Sequence, residues 1–227
     1  MRTADEILIE ARRLPKFSEK FDYLLNKSEQ AVIFGSYASG FQLDESDIDI
    51  LFISKEKNIK TKYLDFICIK PDKLHLKSWL GTELANHVAS FGIWIKGDDS
   101  WKHEVFISNS SLERKKIIIL NRLAHLFVKK NSISQTLMLR LFEDVLLDSY
   151  RLIQMDEGCA VPSNVVLINR FINDNRNILV ELTNSKYLGK VAEIFIDELF
   201  NLKDREIISR QLTDKLLWRK TNFFPNM

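Results

Sequence analysis

Asp47 and Asp49 are two carboxylates one residue apart, and ten residues separate Asp47 from the Ser36 of a Gly35-Ser36 pair. On a strand the two acids fall on one face about seven ångströms apart, roughly two residue rises, and repel each other unless a cation joins them. Magnesium suits such a pair, because it is satisfied by carboxylates, phosphate oxygens and waters. Two ions would serve the substrate phosphates and the attacking oxygen respectively. A Gly-Ser turn beside them supplies what the phosphates need, so the chemistry expected is metal-assisted transfer of a phosphate-bearing group.

The flanking segments are suited to position these groups. Ala31-Val32-Ile33-Phe34 is a short apolar run that ends at Gly35, as a buried strand turning into a short helix does. Gly35 permits the bend and Gly40 the exit. Backbone N–H groups at the start of that helix, with the Ser36 hydroxyl, would face an anion such as a triphosphate. In Asp47-Ile48-Asp49-Ile50-Leu51-Phe52-Ile53 the acids alternate with Ile48 and Ile50, which enter the core. Lys62 to Ile69 is expected to form the next strand, with Tyr63, Asp65, Ile67 and Ile69 on one face. Pairing beside the first acidic strand would make Asp65 a third acid, able to bind the metal or take the acceptor proton.

The stretch from about Ala31 to Ile53 resembles the core motif of the polymerase-β-type nucleotidyltransferase superfamily, in which Gly-Ser, a spacer and Asp-X-Asp follow one another. Its spacer resembles that of the minimal nucleotidyltransferases. Glu83 to Gly97, with Phe91-Gly92-Ile93-Trp94-Ile95-Lys96-Gly97, looks like the end of such a domain. The resemblance covers about the first hundred residues. It implies an α+β fold, a mixed sheet flanked by helices and followed here by a C-terminal helical bundle. It also implies magnesium dependence and transfer of a nucleoside monophosphate, with AMP from ATP favoured and pyrophosphate released. Gly35 and Ser36 would then hold the triphosphate, and Asp47, Asp49 and Asp65 the metals. Many relatives carry Arg where this chain has Ser39, so any charge required there comes from elsewhere.

Composition narrows the partners. Of 227 residues, 45% are apolar, enough for one large domain or two small ones. The net charge of +2 does not describe a nucleic-acid-binding surface. Up to Val105 there are 15 basic and 17 acidic residues, and beyond it 18 and 14. A duplex-binding, template-dependent polymerase is therefore not expected. No apolar stretch approaches the roughly twenty residues that span a bilayer, and Asp5, Glu6 and Glu10 interrupt what would be a signal peptide. The two cysteines, Cys68 and Cys159, form no disulfide framework or metal spacing. A reducing cytoplasm is the expected setting.

Two helices, Ala4 to Leu14 and Phe17 to Leu25, are expected before the motif, with Leu8, Ile9, Leu14, Phe21 and Leu24 packed on the sheet. The chain changes character after Ser108-Asn109-Ser110-Ser111, which places a catalytic domain at 1–108 and a helical domain at 109–227. Helices are expected over about 112–129, 134–155, 163–182, 187–201 and 203–217. Ile117 to Leu120, Leu123, Leu126 and Phe127 make the first apolar on most of its circumference, and Leu137, Leu141, Val145 and Leu146 continue that pattern. Glu143, Asp144 and Asp148 are candidates for a general base, although acids on amphipathic helices are more often their solvated face. His75, His87, His103 and His125 show no metal spacing, and Trp79, Trp94, Trp101 and Trp218 read as packing residues. Helical tails of this kind resemble those of aminoglycoside nucleotidyltransferases, where they close over the acceptor.

Three functions fit these residues. One is modification of a small hydroxylated molecule such as an aminoglycoside. Another is modification of a protein or RNA partner, as in toxin–antitoxin nucleotidyltransferases, and the third is nucleotide binding without turnover. A fused HEPN ribonuclease is disfavoured, because its Arg-X(4–6)-His pattern is absent from the helical half and His125 lies three residues after Arg122.

Overall fold

A computed structural model describes residues 2–42, 46–129, 132, 134–164 and 166–167. They fall into two compact units. The first is 2–108 with the segment 160–166 returning to it, and the second is 109–159 with residue 167.

The first unit begins with α1 (Ala4–Ala11), started by a capping box in which the Thr3 and Glu6 side chains satisfy each other's backbone N–H groups. After α2 (Phe17–Lys27) come β1 (Gln30–Phe34), α3 (Gly35–Ser39) and β2 (Ile48–Ile53). β3 (Ile59–Lys60), β4 (Leu64–Ile69), α4 (Lys77–Leu80), α5 (Glu83–Phe91) and β5 (Ile93–Lys96) complete it. The strands form one mixed sheet in the order β3-β4-β2-β1-β5. Only β2 and β4 run parallel; the other neighbours are antiparallel.

Both faces of this sheet are covered, which is why β2 is nearly all apolar after its acidic start. On one face Ile33, Ile48, Ile50, Phe52 and Phe66 pack against Ile7, Phe17, Phe21 and Leu24 of α1 and α2. On the other, Val32, Phe34, Leu51 and Ile53 pack against Trp79, Leu80, Ala85, Val88 and Trp101. Trp101 is fully buried, and its indole N–H donates to Gln30 Oε1 at 2.9 Å.

Three sequence expectations need correction here. Ile9 does not pack on the sheet but is 65% exposed, because α1 buries Ile7 and Ala11, four residues apart, and a residue midway points away. The fourth strand starts at Leu64, not Lys62. Thr61 Oγ1 accepts from the Tyr63 and Leu64 N–H groups at 3.2 and 3.1 Å, making a tight turn. Tyr63 therefore precedes the strand and packs with the α1–α2 core, away from the face of Asp65. The turn also creates β3, a two-residue strand too short to show any periodicity.

In the second unit, α6 (Asn109–Lys129) packs against α7 (Gln135–Asp156). α6 buries Lys115, Ile119, Leu123 and Leu126, a single helical stripe. Ile117, two residues from Ile119, is 56% exposed, so the apolar residues around this helix are not all buried. Leu137 likewise faces out, whereas Val145 and Leu146 are buried. Asn164, Val166 and Leu167 are helical. The rest of the helix expected at 163–182, and those at 187–201 and 203–217, lie outside the described residues. Among the described residues no helix is long and apolar enough to cross a membrane.

Candidate active site

One row of residues crosses four strands. Phe34, the last residue of β1, pairs with Asp49 of β2. Asp49 pairs with Asp65 of β4, and Asp65 with Lys60 of β3. Directly opposed residues share a face of the sheet, so the register alone gathers the two acids and the lysine beside the turn at Gly35. Asp47 joins from just before β2, and one carboxylate oxygen from each of Asp47, Asp49 and Asp65 lies within 4.8 Å of the others.

The turn is fitted to this cluster. Gly35 has φ +70°, a left-handed conformation that side chains oppose, and a Cβ there would lie 2.1 Å from Asp49 Oδ2. Glycine thus lets the backbone of the turn close against a carboxylate. At the other end of α3, Gly40 has φ +75° and closes the helix. Ser36, the second residue of α3, is half-buried. Ser39 Oγ contacts the Gly35 and Ser36 carbonyls at 2.9 and 3.2 Å, and Ser163 Oγ at 3.0 Å. The position that carries Arg in many relatives is therefore part of a neutral hydroxyl network.

The clustering alters the protonation of Asp49. Burial, then the charges of Asp47 and Asp65, push Asp49 up from 3.8 to about 7, with Lys60 opposing the rise. Lys60 Nζ is ion-paired with Asp65 Oδ2. The hydrogen bond that the ammonium donates to Asp65, followed by the charges of the acids, raises the lysine above its ordinary value. Lys60 escapes a reading of the sequence because its strand is so short. Its signal is a basic residue five positions before the third acid, as a tight hairpin requires.

Behind α3 the sequence also gave no hint of a second network. Arg2 pairs with Glu10, and Gln42 Nε2 donates to both Glu10 oxygens at 3.2 and 3.3 Å. It fixes the chain just before residues 43–45, which lead to Asp47. Tyr37 is buried nearby, and its hydroxyl is raised by burial and by the charge of Glu10.

The other candidates have structural partners or lie at the surface. His75 Nδ1 meets Glu104 at 2.9 Å and His87 Nδ1 meets the Val161 carbonyl at 2.7 Å, while His103 and His125 are exposed. Trp79 and Trp101 are core residues with Trp94 packed against them; Trp218 lies outside the described residues, as does the side chain of Glu143. Asp144 is exposed. Asp148 is buried, and Lys115 (3.3 Å), Arg151 (2.7 Å) and Arg122 bind its carboxylate. Burial pushes its pKa up, but the three cations outweigh that and hold it low. It is a structural anchor within the second unit, not a general base.

A family model described as a nucleotidyltransferase domain matches residues 14–85, a span that contains Gly35, Ser36, Asp47, Lys60 and all of β4. Among solved structures, a toxin–antitoxin crystal structure with AMP-PNP is 19% identical, over 48% of this chain and 95% of that one, at a TM-score of 0.26. No curated protein matches. Over residues 14–85 the chain thus matches the nucleotidyltransferase domain of the polymerase-β-type superfamily.

Proposed function

We propose that the protein transfers a nucleoside monophosphate, AMP from ATP, to an acceptor hydroxyl and releases pyrophosphate in a magnesium-dependent reaction. The observation that carries this reading is the meeting of Asp47, Asp49 and Asp65 against the Gly35 turn. The donor set suits a divalent cation: three carboxylates bring hard oxygen ligands, and one lysine ion pair leaves them short of positive charge. Asp47, Asp49 and Asp65 would hold the metal, with room in the scheme for two ions. When bound, the metal offsets negative charge that develops on the phosphoryl oxygens.

The chain's own groups do the positioning. The Gly35-Ser36 turn receives the triphosphate, and its closeness to Asp49 sets the α-phosphorus near the acids. The acceptor oxygen attacks that phosphorus, the bond to the bridging oxygen of the β-phosphate breaks, and pyrophosphate takes the electron pair. Asp65 would bind the metal or receive the acceptor proton. Holding both reactants in line accounts for much of the acceleration, since the protein forms no covalent bond itself.

For the acceptor, we favour a small polyhydroxylated cation of the aminoglycoside type. This choice rests on the resemblance of the helical half to the tails of aminoglycoside nucleotidyltransferases; net charge does not argue for it, since the residues beyond Val105 carry 18 basic against 14 acidic groups. Incubation with magnesium and ATP labelled at the α-phosphate, against aminoglycosides, lincosamides, tRNA and cell lysate, identifies the acceptor. Label on an aminoglycoside supports the reading. Label only on RNA or protein replaces the acceptor with a macromolecular partner, and tight nucleotide binding with no labelled product replaces transfer with a binding module.

A further inference from the structure

We infer that Lys60 is the resident counter-ion of the site, competing with a divalent cation for Asp65 and leaving when the cation binds. The inference rests on reading Asp47, Asp49 and Asp65 as metal ligands. Its own support is the placement of Lys60. β3 pairs with β4 so that Ile59 stands opposite Phe66 and Lys60 opposite Asp65. Ile59 packs into the α1–α2 core, and strand alternation then sends Lys60 to the face of the acids. Two residues of strand are enough, because one is an apolar anchor and the other is the charge.

The two partners differ in their freedom. The Lys60 side chain is 72% exposed and that of Asp65 only 20%. The ammonium reaches the carboxylate from solvent on a flexible four-carbon stem and can withdraw without moving the backbone. Asp65 is fixed on β4, which is paired on both sides, with β2 and with β3. A cation shared by all three acids must take an oxygen of Asp65, the carboxylate whose Oδ2 the ammonium now holds. Lys60 thereby offsets part of the repulsion among the acids in the metal-free protein, and weakens the site's attraction for a divalent ion by the same charge.

Binding of Mn2+ to the metal-free protein without nucleotide, read from the electron paramagnetic resonance signal of free Mn2+, tests this. Lys60→Met should bind Mn2+ roughly three- to tenfold more tightly than wild type, with the gap narrowing at high salt. Lys60→Arg should stay near wild type, and Asp49→Asn should lose binding. Equal affinity in wild type and Lys60→Met overturns the inference and leaves the metal site standing. No Mn2+ binding by wild type, with Asp49→Asn indistinguishable from it, overturns both.

Discussion

Each unit of this protein takes a carboxylate out of water, Asp148 fully and Asp49 in part, and the two are treated in opposite ways. Around Asp148 the protein brings Lys115, Arg122 and Arg151, and the group is held ionised. Around Asp49 it brings two more acids, with one ion-paired lysine at the edge, and the group is pushed to about 7. A buried carboxylate that serves the fold is neutralised by side chains of the chain itself. One left among other acids lowers stability unless something from outside supplies the charge, and that deficit is what makes the Asp49 cluster a candidate site.

The largest effect that separates the two is on activity. Asp49→Asn should cut transfer by roughly 10³-fold or more, about the loss seen when preorganised charge stabilisation is removed, while the protein remains folded. Asp148→Ala should do the reverse. Three cations lose their shared carboxylate, and unfolding in urea should show a loss of about 3–5 kcal/mol. A variant that kept full stability there would break the contrast.

Stability against pH sharpens it. The folded protein keeps a proton on Asp49 up to about pH 7, whereas an ordinary aspartate releases it near 3.8. The folded state therefore binds more protons across that window, and the metal-free protein should lose stability as pH rises through it, by up to about 4 kcal/mol. Asp49→Asn should flatten this fall, and magnesium should offset it at high pH. Asp148 has the opposite sign: its depressed pKa gives stability that is present above the usual carboxylate range and lost as pH falls. Thermal melts from pH 4 to 8 with chelator, then with magnesium, check both.

The smallest stability effect expected is at the turn. Gly35→Ala adds a Cβ to a left-handed residue, costing about 1–2 kcal/mol, and pushes it against Asp49 Oδ2. Activity should fall far more than stability, since the carboxylate must move. Equal losses of both would mean that the turn serves only the fold.

The sequence carried the contrast only in part. The strand before Gly35 and the alternation through Asp47 and Asp49 were legible because periodicity and glycine punctuate them. The register was not, because opposition of Asp65 to Asp49 and of Lys60 to Asp65 depends on pairing between distant strands. Ile9 and Ile117 look like core residues by type, yet each lies midway between buried positions of its own helix. Asp148 looked like a solvated or catalytic acid, since its partners come largely from another helix, seen only when α6 lies against α7.

The most direct test of the charge deficit as a nucleotidyl-transfer site is transfer of label from α-labelled ATP to an identified acceptor. It is run with and without magnesium, for wild type, Asp47→Asn and Asp49→Asn. The account predicts labelled product and pyrophosphate in equal amounts from wild type with magnesium, and almost none from either variant or after chelation. Undiminished transfer by Asp49→Asn, or transfer indifferent to chelation, would contradict it.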